Sequence, residues 1–209
     1  MITLSVKQLK KSFGPKIIFS NVTFDHQSKP LGISGSNGSG KSTFLKCLSG
    51  LLAPSRGMIQ WKYNGSPLKS TVLKQKLGYA APYINLYNEL SCAENLHFIA
   101  KMRHQNDIKS SIDLWISKVG LDAVSDQPFG KLSTGQQQRL RLASSLFYDP
   151  DILLLDEPGS NLDASGRHLI QEIAEAYDTP EKLLIIASNN PDELDLCERQ
   201  FSIAEETFV

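Results

Sequence analysis

The most constraining feature of this sequence of 209 residues is a glycine-rich stretch that separates two different hydrophobic patterns. The short apolar run 31–34 before it is typical of a buried strand. After it, residues 42–52 carry apolar side chains at helical spacing and stop before Pro54. A strand, a tight glycine turn and a helix in this order indicate an α/β domain with a parallel sheet.

The glycine-rich stretch itself reads Gly-Ser-Asn-Gly-Ser-Gly-Lys-Ser and fits the phosphate-binding P-loop pattern. Its glycines let backbone N–H groups curl around phosphates, and the N-terminus of the following helix adds a partial positive charge. The pattern predicts that Lys41 bridges the β- and γ-phosphates of ATP and that Ser42 ligates Mg²⁺. The alternative is a glycine-rich turn with an incidental lysine. The residues expected to contact the nucleotide here are Gly35, Ser36, Asn37, Gly38, Ser39, Gly40, Lys41, Ser42 and Thr43.

A second chemical signal is the apolar run 152–155, which ends in two adjacent carboxylates, Asp156 and Glu157. A buried strand would deliver Asp156 to the Mg²⁺ shell, while the next side chain points elsewhere and can polarise water for attack on the γ-phosphate. We therefore expect Glu157 to be the general base. The alternative is an ordinary solvated strand end, because acidic residues are common there.

The rest of the chain alternates short β-rich runs with longer helical ones. Asn64-Gly65 lies between extended flanks and predicts a β-hairpin, so an antiparallel β lobe is expected near the N-terminus. Apolar residues recur at helical intervals through 91–125, which predicts an insert of two or three helices. The remaining predicted strands are 2–6, 17–24, 152–155, 183–187 and a C-terminal run near 201–204.

Composition narrows the function classes. Lys plus Arg and Asp plus Glu both number 22, so the chain has no net positive charge that would attract it to nucleic acid or to an anionic membrane. No apolar run is long enough to span a bilayer or to resemble a signal peptide, so we expect a cytoplasmic protein without direct membrane insertion. Cys47, Cys92 and Cys197 lie far apart, which fits a reducing compartment and indicates no structural metal site.

The stretch 132–139, Leu-Ser-Thr-Gly-Gln-Gln-Gln-Arg, resembles the signature of ATP-binding cassette (ABC) ATPases, usually LSGGQ, with Thr134 replacing the first glycine. The alternative is a helix N-cap at Ser133 or Thr134, which does not explain its place shortly before Asp156. In that family the signature contacts the γ-phosphate held by the P-loop of another subunit. The resemblance thus implies a dimer around two ATP molecules, contacted by Ser133, Thr134, Gly135 and Gln136.

Other landmarks of the family follow in the expected order. Phe13 matches the aromatic residue that stacks on adenine, although an ordinary core aromatic is the alternative. Residues 160–163 match the D-loop, and 86–96 resemble the region that faces the membrane partner. The resemblance implies one ABC ATPase domain over 1–209: a P-loop α/β core with a parallel sheet, an N-terminal antiparallel β lobe and a helical subdomain at about 82–135.

Two positions depart from the family pattern. Pro82 stands where a glutamine normally approaches Mg²⁺ and the attacking water, and proline has no side-chain amide. Asn189 stands where a histidine normally touches the γ-phosphate; it can donate a hydrogen bond but cannot become cationic. Both substitutions could be tolerated in a subfamily that remains active, or they could make the ATPase slow or asymmetric. We expect Lys41, Glu157 and Asn189 to act on the reacting phosphate.

By resemblance, the function is ATP binding and hydrolysis by an ABC transporter subunit, with ATP and Mg²⁺ as cofactors. The chain would pair with a copy of itself or with a second ABC ATPase, and drive an integral membrane permease from the inner face of the cell membrane. Its brevity and the segment at 86–90 resemble small bacterial exporter ATPases. The alternative is an ABC ATPase that assembles or remodels a soluble complex, as iron–sulfur assembly subunits do.

Overall fold

The structure is a computed structural model that describes residues 1–104 and 109–209. The predicted helical stretch of 91–125 includes 105–108, which lie outside the described residues. Within the described ranges, strands β1 to β10 occupy Ile2–Phe13, Lys16–Gln27, Leu31–Ser34, Arg56–Tyr63, Ser66–Pro67, Leu77–Ala80, Ile152–Asp156, Leu183–Ser188, Arg199–Ser202 and Thr207–Phe208.

The α-helices alternate with these strands along most of the chain. In the same ranges, α1 to α7 occupy Lys41–Leu48, Ser70–Lys76, Cys92–Met102, Lys109–Lys118, Thr134–Leu146, Ala164–Ala176 and Pro191–Leu194, and 3₁₀ turns occupy Asp122–Val124 and Phe129–Lys131. No helix in the described parts of the chain has the length and apolar character needed to cross a bilayer.

The central sheet has the strand order β10-β9-β3-β8-β7-β6. All pairs are parallel except β9 with β10, which confirms the predicted parallel-sheet α/β class. Alternate residues of β7 enter two different hydrophobic clusters: Ile152 and Leu154 face β1, β2 and α1, whereas Leu153 and Leu155 face α3 to α6. Because both faces are covered, the strand is apolar throughout and not alternating.

The N-terminal lobe is an antiparallel sheet of order β2-β1-β4-β5. Its hairpin between β4 and β5 pairs Tyr63 with Ser66 across the turn. Asn64 and Gly65 both have positive φ, at 47° and 79°, as a two-residue hairpin turn of the right twist requires. The structure thus confirms the antiparallel β lobe.

The helix after the glycine-rich loop is shorter than the predicted span of 42–52. It ends at Leu48 because Gly50 adopts φ 75°, and the N–H of Leu52 then bonds the carbonyl of Lys46. The last predicted strand, near 201–204, is displaced to Arg199–Ser202, where it pairs with β3.

The helical insert contains α3 and α4, followed by the two 3₁₀ turns. Helix α3 begins with a capping box, in which the side chains of Ser91 and Glu94 each bond the other's backbone N–H. Helix α5 begins at Thr134 and runs on to Leu146 in the core, so it crosses the expected end of the subdomain near 135. The subdomain boundaries therefore stay a prediction.

Candidate active site

Four neighbouring parallel strands end at one edge of the central sheet, and the candidate residues follow them. Registers pair Ser34 of β3 with Ser188 of β8, and Ala187 of β8 with Asp156 of β7. Because parallel strands end on the same side, the glycine-rich loop, Glu157 and Asn189 lie along this edge. Strand β6 ends at Ala80 and delivers Pro82 and the residue after it to the same edge.

The glycine-rich loop needs its glycines for backbone geometry. Gly35 has φ 155°, and a Cβ there would lie 2.5 Å from the Ser39 hydroxyl. Gly40, the N-cap of α1, has φ 108°, and its Cβ would lie 2.5 Å from a methyl group of Ile18. The helix α1 therefore begins against β2 with its N-terminal N–H groups toward the loop, which is the arrangement that binds anions.

The remaining loop residues predicted to bind nucleotide are accessible. Ser36, Asn37 and Gly38 are exposed at the tip, while Ser42 and Thr43 are half-buried in the first turn of α1. The hydroxyl of Ser39 is buried and has no hydrogen-bond partner among the described residues. A loop with exposed N–H groups and an uncommitted hydroxyl can accept a phosphate chain.

Lys41 lies at the centre of this edge, with a side chain only 5% exposed. Its Nζ donates to the carbonyls of Gly35 at 2.7 Å and Ser36 at 3.3 Å, and it pairs with Oε1 of Glu157 at 3.0 Å. The ammonium thus curls back over the loop, where its charge is balanced by a carboxylate. An anionic phosphate could take the place of that carboxylate at the same ammonium.

Asp156 ends β7 and is buried. Its Oδ2 accepts a hydrogen bond from the Tyr83 hydroxyl at 2.9 Å, whereas its Oδ1 is buried with no partner in the described part of the chain. Burial raises the pKa of Asp156, and the nearby hydroxyls of Ser42 and Tyr83 lower it in part. An unpartnered carboxylate oxygen close to the Ser42 hydroxyl is the kind of oxygen donor set that Mg²⁺ prefers, so the residues fit the ion.

Glu157 turns away from its neighbour because its backbone is left-handed, with φ 46°. Its N–H still bonds the Ala187 carbonyl at 2.8 Å, so the strain is confined to one residue held by β8. Its side chain meets Lys41 on one oxygen and the Ser188 hydroxyl, at 3.4 Å, on the other. The two adjacent carboxylates therefore face different partners.

Asn189 follows β8 and is exposed at the loop. Its Nδ2 donates to Oδ1 of Asn37 at 3.0 Å, so the side chain reaches the glycine-rich loop itself. Pro82 is half-buried and offers no side-chain donor. The position of the expected glutamine is thus filled by a residue that cannot make its contact.

Tyr83 is a residue of the site that the sequence interpretation missed. The residue is 41% exposed, and its hydroxyl lies between the Tyr79 hydroxyl, which it contacts, and Asp156. Burial raises the pKa of Tyr83, and the neighbouring Tyr79 and Asp156 raise it further, so the phenol keeps its proton and donates it. Its place directly after Pro82 was the only sequence signal that could have pointed to it.

Glu193, on α7, is a second residue that the sequence interpretation missed. The residue is 7% exposed, and Oε1 accepts a hydrogen bond from the Gly159 N–H at 3.1 Å. Burial raises the pKa of Glu193, the charge of Glu157 raises it further, and hydrogen bonds from Ser188, Gly159 and Asn190 offset part of this. Glu193 thereby holds the turn that follows Glu157.

The signature-like segment lies at the start of α5. Ser133 and Gln136 form a capping box, at 3.3 Å and 2.9 Å, which confirms that Ser133 is a helix cap. Thr134 is exposed, and a Cβ on Gly135 would lie 2.7 Å from the Asn161 carbonyl, so the segment packs against 160–163. Further along the segment, Gln138 donates to the Pro158 carbonyl and Arg139 to the Asp163 carboxylate. Among the described residues, none of the segment's side-chain hydrogen bonds reaches the glycine-rich loop of the same chain.

Phe13 ends β1 with 51% of its surface exposed. The Nζ of Lys11 lies 4.7 Å from the ring centroid. The alternative of an ordinary core aromatic is therefore wrong. An exposed ring can stack on a flat partner such as a base.

Comparison with known proteins assigns the chain to a family. The sequence profile described as "ABC transporter" matches residues 19–160. The Nod factor export ATP-binding protein I of Sinorhizobium fredii is 30% identical over 202 residues, which are 95% of this chain and 59% of that protein. This chain thus spans less than two thirds of that relative. The lantibiotic transport ATP-binding protein SrtF of Streptococcus pyogenes is 33% identical over 193 residues, covering 92% and 82% of the two chains.

Solved structures share the fold. A candidate ABC transporter ATP-binding protein of Pyrococcus furiosus has a TM-score of 0.81 at 25% identity, covering 98% of this chain and 99% of its own. An ATP-binding cassette solved as a dimer with ADP and phosphate has a TM-score of 0.82 at 22% identity, covering 95% and 93%. The profile match over more than half of the chain, together with the relative SrtF, leads to one assignment: the chain belongs to the ABC transporter family and is an ATP-binding cassette ATPase.

Proposed function

We propose that the chain binds MgATP on the glycine-rich loop and hydrolyses it to drive a membrane exporter. The observation that carries this proposal is the convergence of Lys41, Asp156 and Glu157 at one sheet edge, with Lys41 within 3.0 Å of Glu157. Positive charge for phosphates, oxygen donors for a metal and a carboxylate base are the three requirements for phosphoryl transfer to water.

Each residue would have a distinct role in the reaction. Lys41 would release its ion pair with Glu157 and bind the β- and γ-phosphates. Ser42 and Asp156 would hold Mg²⁺, which neutralises phosphate charge when bound. Glu157, released from the lysine, would accept a proton from the attacking water. Asn189 would donate a hydrogen bond to the γ-phosphate, and Phe13 would stack on adenine.

We further propose that two copies, or this chain and a second ABC ATPase, close around two ATP molecules. The exposure of Ser133 and Thr134 supports this, because their side chains are available to a nucleotide held by another subunit. Gly135 packs on Asn161, so a movement of the signature segment on dimer closure would also move the D-loop of the same chain.

The membrane permease would dock in a groove of about 540 Å³ beside the nucleotide site. Its walls are largely apolar and include part of the 86–96 segment, which resembles the partner-facing region of the family. Lining residues include Leu51, Tyr79, Leu86, Tyr87 and Phe98. Export is proposed because the two relatives described above are named for Nod factor export and lantibiotic transport. Neither relative supports the alternative of a soluble assembly ATPase.

The test is ATP binding and turnover of the purified protein. Lys41→Ala should abolish turnover and weaken MgATP binding strongly, because it removes the main side-chain charge on the phosphates. Lys7→Ala, an exposed lysine of β1, is the matched control and should behave like the wild type. Equal affinity and turnover in the two variants would refute the proposal. Co-purification with an integral membrane protein would separate the transport role from soluble assembly.

A further inference from the structure

A hydrogen bond between distant residues links the segment that contains Pro82 to the candidate metal site. The Tyr83 hydroxyl donates to Oδ2 of Asp156 at 2.9 Å, across 73 residues of chain. The other oxygen of that carboxylate, Oδ1, is buried with no partner among the described residues. The phenol therefore occupies one oxygen and leaves the other one available.

The ring of Tyr83 is held from two other elements. The Nζ of Lys46, on α1, lies 3.9 Å from the ring centroid, which is close enough for a cation–π interaction. The Tyr79 hydroxyl, on β6, bonds the Tyr83 hydroxyl. The phenol is thus fixed by the helix that follows the glycine-rich loop and by the strand next to β7.

We propose that Tyr83 is a positioning residue for Mg²⁺: it holds the Asp156 carboxylate through Oδ2, so that Oδ1 would stay available to the ion. This inference rests on the proposed MgATP site. A carboxylate that can rotate presents its oxygens in many orientations, whereas a hydrogen bond to one oxygen fixes the plane of the group. Pro82 has no side-chain donor that could make such a bond, and the hydroxyl of the next residue, Tyr83, makes it instead.

The same hydrogen bonds connect the groove of about 540 Å³, where the permease is proposed to dock, with the candidate metal site. Tyr79 lines the groove and also bonds the Tyr83 hydroxyl, which bonds Asp156. A partner that moved Tyr79 would change the orientation of Asp156 through one intervening side chain.

The test compares Tyr83→Phe with Tyr63→Phe. The first removes the hydroxyl and keeps the ring beside Lys46. The second is a matched control on β4, where a lysine ammonium, that of Lys76, also lies near the ring, at 4.9 Å. Binding of a fluorescent ATP analogue is measured in EDTA and across a titration of Mg²⁺, and bound Mn²⁺ is followed by electron paramagnetic resonance.

We expect Tyr83→Phe to raise the half-saturating Mg²⁺ and Mn²⁺ concentrations by about tenfold. Affinity in EDTA should stay within about twofold of the wild type, because nucleotide contacts with the loop are intact. Unchanged Mg²⁺ dependence in Tyr83→Phe would overturn the inference. An equal loss of affinity with and without Mg²⁺ would also overturn it, since it would mean a purely structural role. If the wild type itself bound nucleotide without any Mg²⁺ dependence, the proposed MgATP site would fail along with the inference.

Discussion

Asn189 donates a hydrogen bond from Nδ2 to Oδ1 of Asn37, at 3.0 Å, and so joins the end of β8 to the tip of the glycine-rich loop. Both side chains are neutral at every pH at which the protein is folded. The contact explains how an asparagine at this position still reaches the phosphate-binding loop, although it cannot supply the charge of a protonated histidine.

Replacing Asn189 with histidine should raise ATP turnover by about tenfold, which corresponds to about 1.4 kcal/mol off the barrier. A histidine can donate to the γ-phosphate and become cationic, so turnover should also acquire a dependence on pH near neutrality. Steady-state ATPase assays with the permease present measure both effects. Gln171→His, at an exposed position of α6, controls for adding a histidine elsewhere. A fall in turnover would mean that the site is built around asparagine.

Glu193→Gln should change how stability depends on pH. The pKa of Glu193 is raised in the folded protein, mainly by burial, so the folded state keeps a proton that the unfolded chain has released. The stabilisation that the protonated carboxyl contributes to the folded state is fully present below the unfolded pKa of about 4.3, and it is lost as pH rises through the raised folded-state pKa. A glutamine at this position does not titrate, so the variant does not lose this stabilisation.

The measurement for Glu193 is the thermal unfolding midpoint between pH 5 and 8. The midpoint of Glu193→Gln relative to the wild type should increase as pH rises across this window. Glu181→Gln, an exposed position, is the control and should follow the wild-type curve. Parallel curves for Glu193→Gln and the wild type would show that the buried carboxyl does not titrate with folding.

Much of the fold could be predicted because the relevant patterns are local. The apolar run that ends in Asp156 specifies a strand covered on both faces, and Asn64-Gly65 specifies a turn by its backbone alone. The helix predicted to begin at Ser42 begins one residue earlier in the structure, at Lys41. The helix end at Leu48 was missed because the conformation of Gly50 decides it.

The parts of the site that escaped prediction depend on contacts between distant residues. Tyr83 meets Asp156 across 73 positions, and Glu193 meets Gly159 across 34, so no local pattern indicates either pair. The left-handed backbone of Glu157 is also imposed from outside, by its bond to Ala187 on the neighbouring strand. Such features arise only when the sheet is assembled.

The most direct test of the account is a single-turnover experiment with radiolabelled ATP on Glu157→Gln. Glutamine keeps the shape but removes the proton acceptor, so cleavage should slow by about 10² to 10⁴. Because Lys41 also loses its carboxylate partner, ATP affinity should be preserved or increased. Glu172→Gln, exposed on α6, is the matched control. We expect Glu157→Gln to retain uncleaved MgATP and to elute as a dimer in size-exclusion chromatography; phosphate release at the wild-type rate would contradict the proposed role of Glu157.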